Sequence, residues 1–595
     1  MRVLMIMYDT LCRHFLAPYG NDWVKTPNFT RLAENSVTFD SNYVCSLPCM
    51  PARRDMHNGR ANFLFRDWGP LEPYDDSMPE ILKQNGIYSC LVSDHYHYWE
   101  DGGATYHTRY SSWKANRGQE GDFVFADKEM LEKTQELKGQ LHDPQFISML
   151  MHKQDEVNRR HIDKETLMPQ YKTFADGMDF LKENVDRQNW FLQIETFDPH
   201  EPFFTQPEWK KLYPELAEYV GTKSDWPSYD PVRESDGPKD IEYVRKLYAA
   251  LIAMCDDYLG KILDFMDEHE MWKDTMLMVL TDHGFLLGEH DWWGKSIMPS
   301  YEEISHTPLF IYDPVSGIKN QRRSKLSSMI DIPATILDFF GLPLPEDMTG
   351  RSLLPLIREN KAIRQDCLFG FHGGHIGYTD GKYTYFRAPL AEKETVCYEY
   401  TLMPTRMRQR FSIEDLKKAE YVDPFAGSKG CKVLKIPAHL PYVSQVNFGT
   451  KLFDVENDPR QKHLIDDPVL EAKLAIKLKE AMLKEGAPAE QFERLGLDQE
   501  ITPESIRTMK IHEEEILTPK VEGIATWSKE AANVYRTMKK MLPADFVEYL
   551  NGQLAKDAQN KNVDLELMKK AIRTLMPEHQ ADQIIYFMAM VSRTY

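Results

Sequence analysis

Residues 1–10 read MRVLMIMYDT. The apolar run from Val3 to Tyr8 is far too short to cross a membrane and the right length for a buried strand. It ends in a carboxylate, Asp9, and burying a carboxylate costs free energy unless it is paired or bound to a metal. The same pattern returns at 275–284, TMLMVLTDHG, where the strand signal Thr275–Thr281 ends in Asp282 and His283. A third strand signal, Trp190–Phe197, ends in Asp198, Pro199 and His200. Further strand signals at Tyr88–Val92 and Pro308–Tyr312 are separated from these by helical stretches. Thr26 and Pro27 open one helix, with Thr26 as its cap, and Ser77 and Pro79 open another; Asp240–Trp272 and Ile332–Phe340 are periodic and helical. Strands alternating with helices predict an α/β fold: a large, mostly parallel sheet covered on both faces. In such sheets ligands sit beyond the carboxyl ends of the strands, where Asp9, His200, Asp282 and His283 all fall.

The chain of 595 residues is too long for one core. We divide it into 1–360 as the α/β domain, 361–470 as a small antiparallel α+β subdomain, and 471–595 as a helical C-terminal extension. The second part rests on strand signals at Cys367–His372, Tyr378–Arg387 and Lys451–Val455, with Asp380 and Gly381 as a hairpin turn. The third is expected to pack onto the main body or onto another copy, giving a homo-oligomer. A formal charge of -20 argues against general affinity for nucleic acid or an anionic membrane. Eight scattered cysteines form no C-x-x-C pair, and Asp9 interrupts the first apolar run with no small-residue cleavage site behind it. Reduced thiols in a cytoplasm are therefore expected.

Between the first two strands lies Cys49-Met-Pro-Ala-Arg53, followed by Arg54. A lone cysteine is usually a small core residue. Here a proline suited to a helix start and two arginines follow it, and a helix N-terminus with nearby cations stabilises an anion. That setting would lower the thiol's pKa or hold an anionic substrate. His95 and His97, in DHYHYW, His200, in DPHEPF, and Lys295, in WWGK, are further candidates, each of which alone reads as an ordinary surface or hydrogen-bonded side chain.

Taken in order, these pieces resemble the sulfatase family of the alkaline phosphatase superfamily. Cys49–Arg53 is similar to that family's C-x-P-x-R signature, whose cysteine is oxidised to formylglycine. TPNFTRLAENSVTF at 26–39 resembles the stretch before the nucleophile. Gly284 to Lys295, Pro308 to Phe310, Asp331 to Thr335, GRSLLPL at 350–356 and KLFDVENDP at 451–459 resemble later landmarks. The likeness runs from residue 1 to about 470, and it implies an alkaline-phosphatase-like sandwich.

It also implies roles. Asp9, Asp282 and His283, with the modified residue 49, would bind one divalent metal, Ca²⁺ before Mn²⁺ or Mg²⁺. Arg53 would steady the formylglycine diol. Lys295 and His200 would hold the anionic group and serve the leaving oxygen, and His97 would act as base beside the nucleophile. A sulfate monoester would be cleaved by attack of the diol hydroxyl on sulfur, and sulfate would leave as the aldehyde reforms. A maturation enzyme would generate the formylglycine, and a small anionic ester, a sulfated sugar among the candidates, would be the substrate. The sequence departs from the family pattern in four places. Thr10 stands where many members have a second metal aspartate, His283 where many have asparagine, His95 where many have lysine, and His14 where many have an acid. Thr10 is carried over as a weaker, neutral metal ligand and His95 as a substrate contact, and His372 and His375 are candidates to enter the pocket from the second domain. Two rival readings remain: a phosphonate or phosphate ester hydrolase of the same superfamily, and a non-enzymatic anion binder with Cys49 unmodified.

Overall fold

A computed structural model describes residues 1–138, 144–233, 235–393, 396–408, 410–438, 445–558 and 562–592. Its central sheet has eight strands: β1 (Arg2–Tyr8), β2 (Val37–Phe39), β3 (Tyr88–Ser93), β4 (Ser112–Ala115), β5 (Trp190–Thr196), β6 (Thr275–Thr281), β7 (Leu309–Tyr312) and β8 (Gln321–Arg323). They lie side by side in the order β8-β2-β7-β6-β1-β5-β3-β4. Only β7 runs against the rest, so the sheet is mixed and mostly parallel. Side chains alternate across it: Leu4, Ile6 and Tyr8 enter one core and Val3, Met5 and Met7 the other. Helices cover both faces, which is why β1 reads as a continuous apolar run. The first face is covered by α1 (Pro27–Asn35) and the long α2 (Pro238–Glu268), and the second by helices that include Asp331–Phe339.

The N-terminus of α1 is not capped by Thr26, whose Oγ1 instead accepts the Ala17 N–H at 3.2 Å. Asp256 of α2 accepts the N–H groups of Asn28 and Phe29, at 3.1 and 2.8 Å. A carboxylate from another helix does the capping, and it locks two layers of the domain together.

A second sheet is built from Cys367–Phe371, Ile376–Thr379, Tyr383–Arg387 and Lys451–Asp454. Its fifth strand is Ser46–Leu47, which pairs in parallel with Gly370 and Phe371. The segment entering Cys49 is therefore held by the second sheet, across the boundary drawn at 360. Asp55 completes this anchor: it accepts Ser46 N–H, Ser46 Oγ–H and Asn62 Nδ2–H at 2.5, 2.7 and 2.8 Å. Asp55→Asn keeps the shape but turns an amide donor towards these donors. We expect it to cost about 1–3 kcal/mol, read as a lowered urea midpoint with an unchanged slope.

Helix Pro468–Lys484 spans the boundary drawn at 470 and packs Leu474, Ala475 and Leu478 onto the second sheet. Helices between Lys529 and Ser592 gather around a separate cluster that includes Val534, Leu550 and Met568. No helix among the described residues is long and apolar enough to cross a membrane. All eight cysteines are free thiols, and only Cys431 is exposed.

Candidate active site

The parallel register places the ends of β1, β5 and β6 together: Tyr8 lies opposite both Thr196 and Thr281. Asp9 and Asp282 follow directly and meet at the carboxyl edge of the sheet. Thr10 is the pivot, with a left-handed φ of 65° that a β-branched residue rarely adopts. Three bonds hold it there: Thr10 N–H donates to Asp282 Oδ1 at 3.1 Å, Tyr248 OH donates to the Thr10 carbonyl at 2.7 Å, and Leu11 N–H donates to Thr281 Oγ1 at 3.0 Å.

Cys49 opens α3 (Cys49–Asn58), a helix inserted between Asp9 and the second sheet. Its C-terminus needs Gly59, which has φ 64°; a Cβ there would meet Met348 Cγ at 2.6 Å. Cys49 Sγ lies 3.3 Å from His283 Nε2 and 4.0 Å from Asp9 Oδ1. Ligand atoms of Asp9, Cys49, Asp282 and His283 all lie within 4.8 Å of one another, and among the described residues no other such group occurs.

These residues fit a divalent cation. His283 Nδ1–H donates to the Gly284 carbonyl at 3.0 Å, which leaves the Nε2 lone pair facing Cys49 and Asp282. Burial holds the ring neutral, with its pKa lowered to about 3. Burial and the neighbouring Asp9 push Asp282 well above the usual carboxylate range. Burial acts on Asp9 in the same direction, but His200, Arg53 and Lys295 hold it well below. Two carboxylates and one imidazole suit Ca²⁺, Mg²⁺ or Mn²⁺. Thr10 offers a neutral oxygen, though its Oγ1–H donates to Asp9 Oδ1 at 2.7 Å and the same Oγ1 accepts from Lys295 Nζ at 3.0 Å.

Arg53 is fully buried and is shared among three carboxylates. Its Nε donates to Glu195 at 2.7 Å, its Nη1 to Asp282 at 2.7 Å and to the Cys49 carbonyl at 2.8 Å, and its Nη2 to Asp9 at 3.1 Å. It therefore grips the acid pair and the backbone of residue 49. The expected lowering of the thiol pKa does not occur: burial first, then Asp9, pushes Cys49 well above the ordinary thiol range. Arg54 does not help, because it turns away to pair with Asp75 at 2.8 Å.

A cavity of about 700 Å³ opens onto Cys49, and Lys295, His200 and His97 line it. Lys295 Nζ stands 3.9 Å from Asp9 and 3.8 Å from Glu201. His200 Nε2 is 4.0 Å from Asp9 Oδ1. His97 contacts Glu100 through Nδ1 at 2.7 Å and Arg408 through Nε2 at 3.0 Å. Burial and Arg408 lower its pKa to about 4. His95 is absent from the cavity wall; it is buried behind Asp9, 3.6 Å from Oδ2, and burial keeps it neutral. His14 likewise lies off this cavity, 3.8 Å from Glu289.

The second domain does reach the cavity, but not through the candidates His372 and His375. His372 bonds the Phe63 carbonyl and Cys397, and His375 bonds the Gly449 carbonyl. Glu399, Arg406 and Arg408 line the cavity instead. The alternating arginines of TRMRQR at 405–410 were the available signal. Trp68 and Trp226 add aromatic walls, with Arg408 stacked 5.2 Å over Trp68. Glu120 also faces in, and burial raises its pKa to about 8 although Arg117 opposes this. As pH rises through about 8 it ionises and adds a negative charge to the cavity. The KM for an anionic ester should therefore rise several-fold between pH 7 and 9, and Glu120→Gln should flatten that rise.

The chain is similar in sequence and in fold to several known proteins. An arylsulfatase of Clostridium perfringens is 23% identical over 398 residues, which cover 62% of this chain and 81% of the relative. A solved protein in complex with its substrate D-glucosamine-2-N,6-O-disulfate superposes with TM-score 0.55 at 14% identity, covering 81% of this chain and 96% of that one. The phosphonate monoester hydrolase of Agrobacterium radiobacter superposes with TM-score 0.54 at 18% identity, covering 81% and 95%. These neighbours share the alkaline-phosphatase-like fold. With the sulfatase family model matching residues 2–342, more than half of its length, the chain belongs to the sulfatase family of the alkaline phosphatase superfamily and is a sulfuric ester hydrolase.

Proposed function

We propose that the protein cleaves a sulfate monoester through residue 49 converted to formylglycine, with one divalent cation, Ca²⁺ first, held by Asp9, Asp282, His283 and residue 49. What carries this reading is the meeting of Asp9, Asp282 and His283 with Cys49, which itself lines a cavity together with Lys295 and His200. The cation would draw charge from the sulfate oxygens, and a hydrated aldehyde would supply the attacking hydroxyl and an elimination route for sulfate.

This chain's own residues do the rest. Lys295 balances the charge of the anionic group, held in place by its bond to Thr10 Oγ1. His200 faces the cavity with Nε2 because Nδ1–H is tied to the Glu201 carbonyl, and it serves the leaving oxygen. Arg53 fixes the backbone of residue 49 relative to the acid pair. His97 serves as base once Arg408 releases its Nε2. The neutral, buried His95 acts on Asp9 from behind rather than on the substrate.

A sulfated sugar fits the size and the aromatic walls of the cavity, and the solved neighbour bound to a glucosamine disulfate supports that class. The eight free thiols support a reducing, cytoplasmic setting, where a maturation enzyme would act on Cys49. A phosphonate monoester is the second reading, favoured by the phosphonate monoester hydrolase among the structural neighbours. Intact mass should show a loss of roughly 18 Da at residue 49 in the native host. The modified enzyme should turn over an aryl sulfate faster than an aryl phosphonate monoester; a ratio strongly favouring phosphorus moves the assignment to the second reading. An unmodified mass together with no turnover of either ester would leave only an anion binder.

A further inference from the structure

Glu195 lies inside β5, the strand WFLQIET, and is fully buried. A lone acid in an apolar strand at the centre of a sheet costs several kcal/mol unless its bonds are complete. They are complete here. Oε1 accepts Arg53 Nε–H at 2.7 Å. Oε2 accepts Tyr98 OH and Gln193 Nε2–H, each at 2.9 Å. Gln193 is fixed in turn by Tyr110 OH, which donates to its Oε1 at 2.7 Å. The chain Tyr110–Gln193–Glu195 ends on the one edge of the Arg53 guanidinium that the acid pair does not use. The other two nitrogens meet Asp282 and Asp9, the carboxylates that would hold the cation.

We propose that Glu195 is a positioning residue that restrains Arg53, so that the guanidinium steadies residue 49 and touches each member of the acid pair through a single N–H, leaving their remaining lone pairs to the cation. A guanidinium is planar with its donors in a rigid fork, so anchoring Nε sets the direction of both Nη groups. Without the charge at Glu195, Asp9 and Asp282 become the only carboxylates left to Arg53. It then turns further onto these two carboxylates and competes with the metal for their lone pairs. The chain Tyr110–Gln193 stops Glu195 from following it.

This inference rests on the reading that Asp9, Asp282 and His283 hold a divalent cation, and calcium binding to the wild-type protein tests that reading by itself. The test is calcium affinity by chelator competition, measured on the full chain without substrate. Glu195→Gln should weaken calcium binding about 10–100-fold, the usual effect of removing a partner that orients a metal ligand. Tyr98→Phe, which leaves the carboxylate and removes one of its anchors, should weaken it by a smaller factor in the same direction and covers the case in which Glu195→Gln fails to fold. In turnover, both variants should lower kcat while KM stays within a few-fold of wild type. A merely structural role would lower Tm in both variants and leave the calcium affinity unchanged, and that result overturns the proposal. Wild-type protein that binds no calcium, manganese or magnesium overturns the cation reading and this inference with it.

Discussion

Replacing Cys49 with alanine is expected to lower kcat/KM for an aryl sulfate by about 10⁵–10⁶-fold while leaving Tm within a few degrees of wild type. The activity loss follows from the proposed role: Sγ, 3.3 Å from His283 Nε2 and 4.0 Å from Asp9 Oδ1, marks where the attacking atom would sit. Removing a nucleophile whose neighbours act as a unit costs nearly the whole chemical advantage, roughly 10⁶-fold in a well-studied hydrolase. The fold should survive because residue 49 is the first residue of a helix, where alanine is a good helix former, and only one sulfur is lost. Cys49→Ser should match alanine when a maturation enzyme that oxidises only cysteine is present. Initial rates on an aryl sulfate, with thermal unfolding run in parallel, decide it. Retention of more than about 1% of activity by the alanine variant would sink residue 49 as the nucleophile.

What the sequence could reveal depended on how far each signal reached along the chain. Strands β1 and β6 were legible because both faces of the sheet are buried, so each reads as an unbroken apolar run closed by a carboxylate. Asp9, Asp282 and His283 came with them. Strands β2, β4 and β8, with sequences VTF, SWKA and QRR, went unread: they lie at or next to the edges of the sheet, and at three or four residues they offer too few positions for a period. Ser46–Leu47 could not be read at all, because a two-residue strand exists only through its partner more than three hundred residues away. Thr26 failed as a cap for a similar reason, since the carboxylate that won was Asp256 on a distant helix. The direction of the thiol shift is not legible locally: the helix N-terminus and arginines are visible in the sequence, while the burial and the Asp9 contact that outweigh them are tertiary. Glu195 was legible in principle, as a single acid inside WFLQIET, and its meaning appears only when Arg53 arrives from another layer.

Arg53→Met is expected to remove at least 10²-fold of activity and to destabilise the metal-free protein by about 3–5 kcal/mol at neutral pH, the usual cost of breaking a buried ion pair from one side. Methionine matches the length of the arginine stem, so the loss reports charge and hydrogen bonds more than volume. Three buried carboxylates, of Asp9, Glu195 and Asp282, lose their shared cation. The sign of the pH dependence follows. Asp9 is held well below the usual range in the folded protein: burial raises it, but His200, Arg53 and Lys295 together prevail. A depressed folded pKa stabilises at pH above the unfolded carboxylate value, and that stability is lost as pH falls through the folded value. Without Arg53 the folded pKa of Asp9 rises and this contribution shrinks. Asp282, already raised by burial and by Asp9, loses the Arg53 contact that opposes the rise and shifts further in the same direction. Both changes penalise the variant where carboxylates are ionised, so the gap from wild type should be widest near pH 7 and should close as pH falls below about 4. Urea midpoints of chelator-treated wild-type and variant protein at both pH values measure it. A gap that stays constant or widens in acid would show that Arg53 stabilises the fold by packing rather than by balancing the charge of the acid pair. Arg53→Lys should recover part of the stability at pH 7 and little of the activity, because an ammonium offers one point charge where the site is built around a planar fork that reaches Glu195, Asp282 and Asp9 at once.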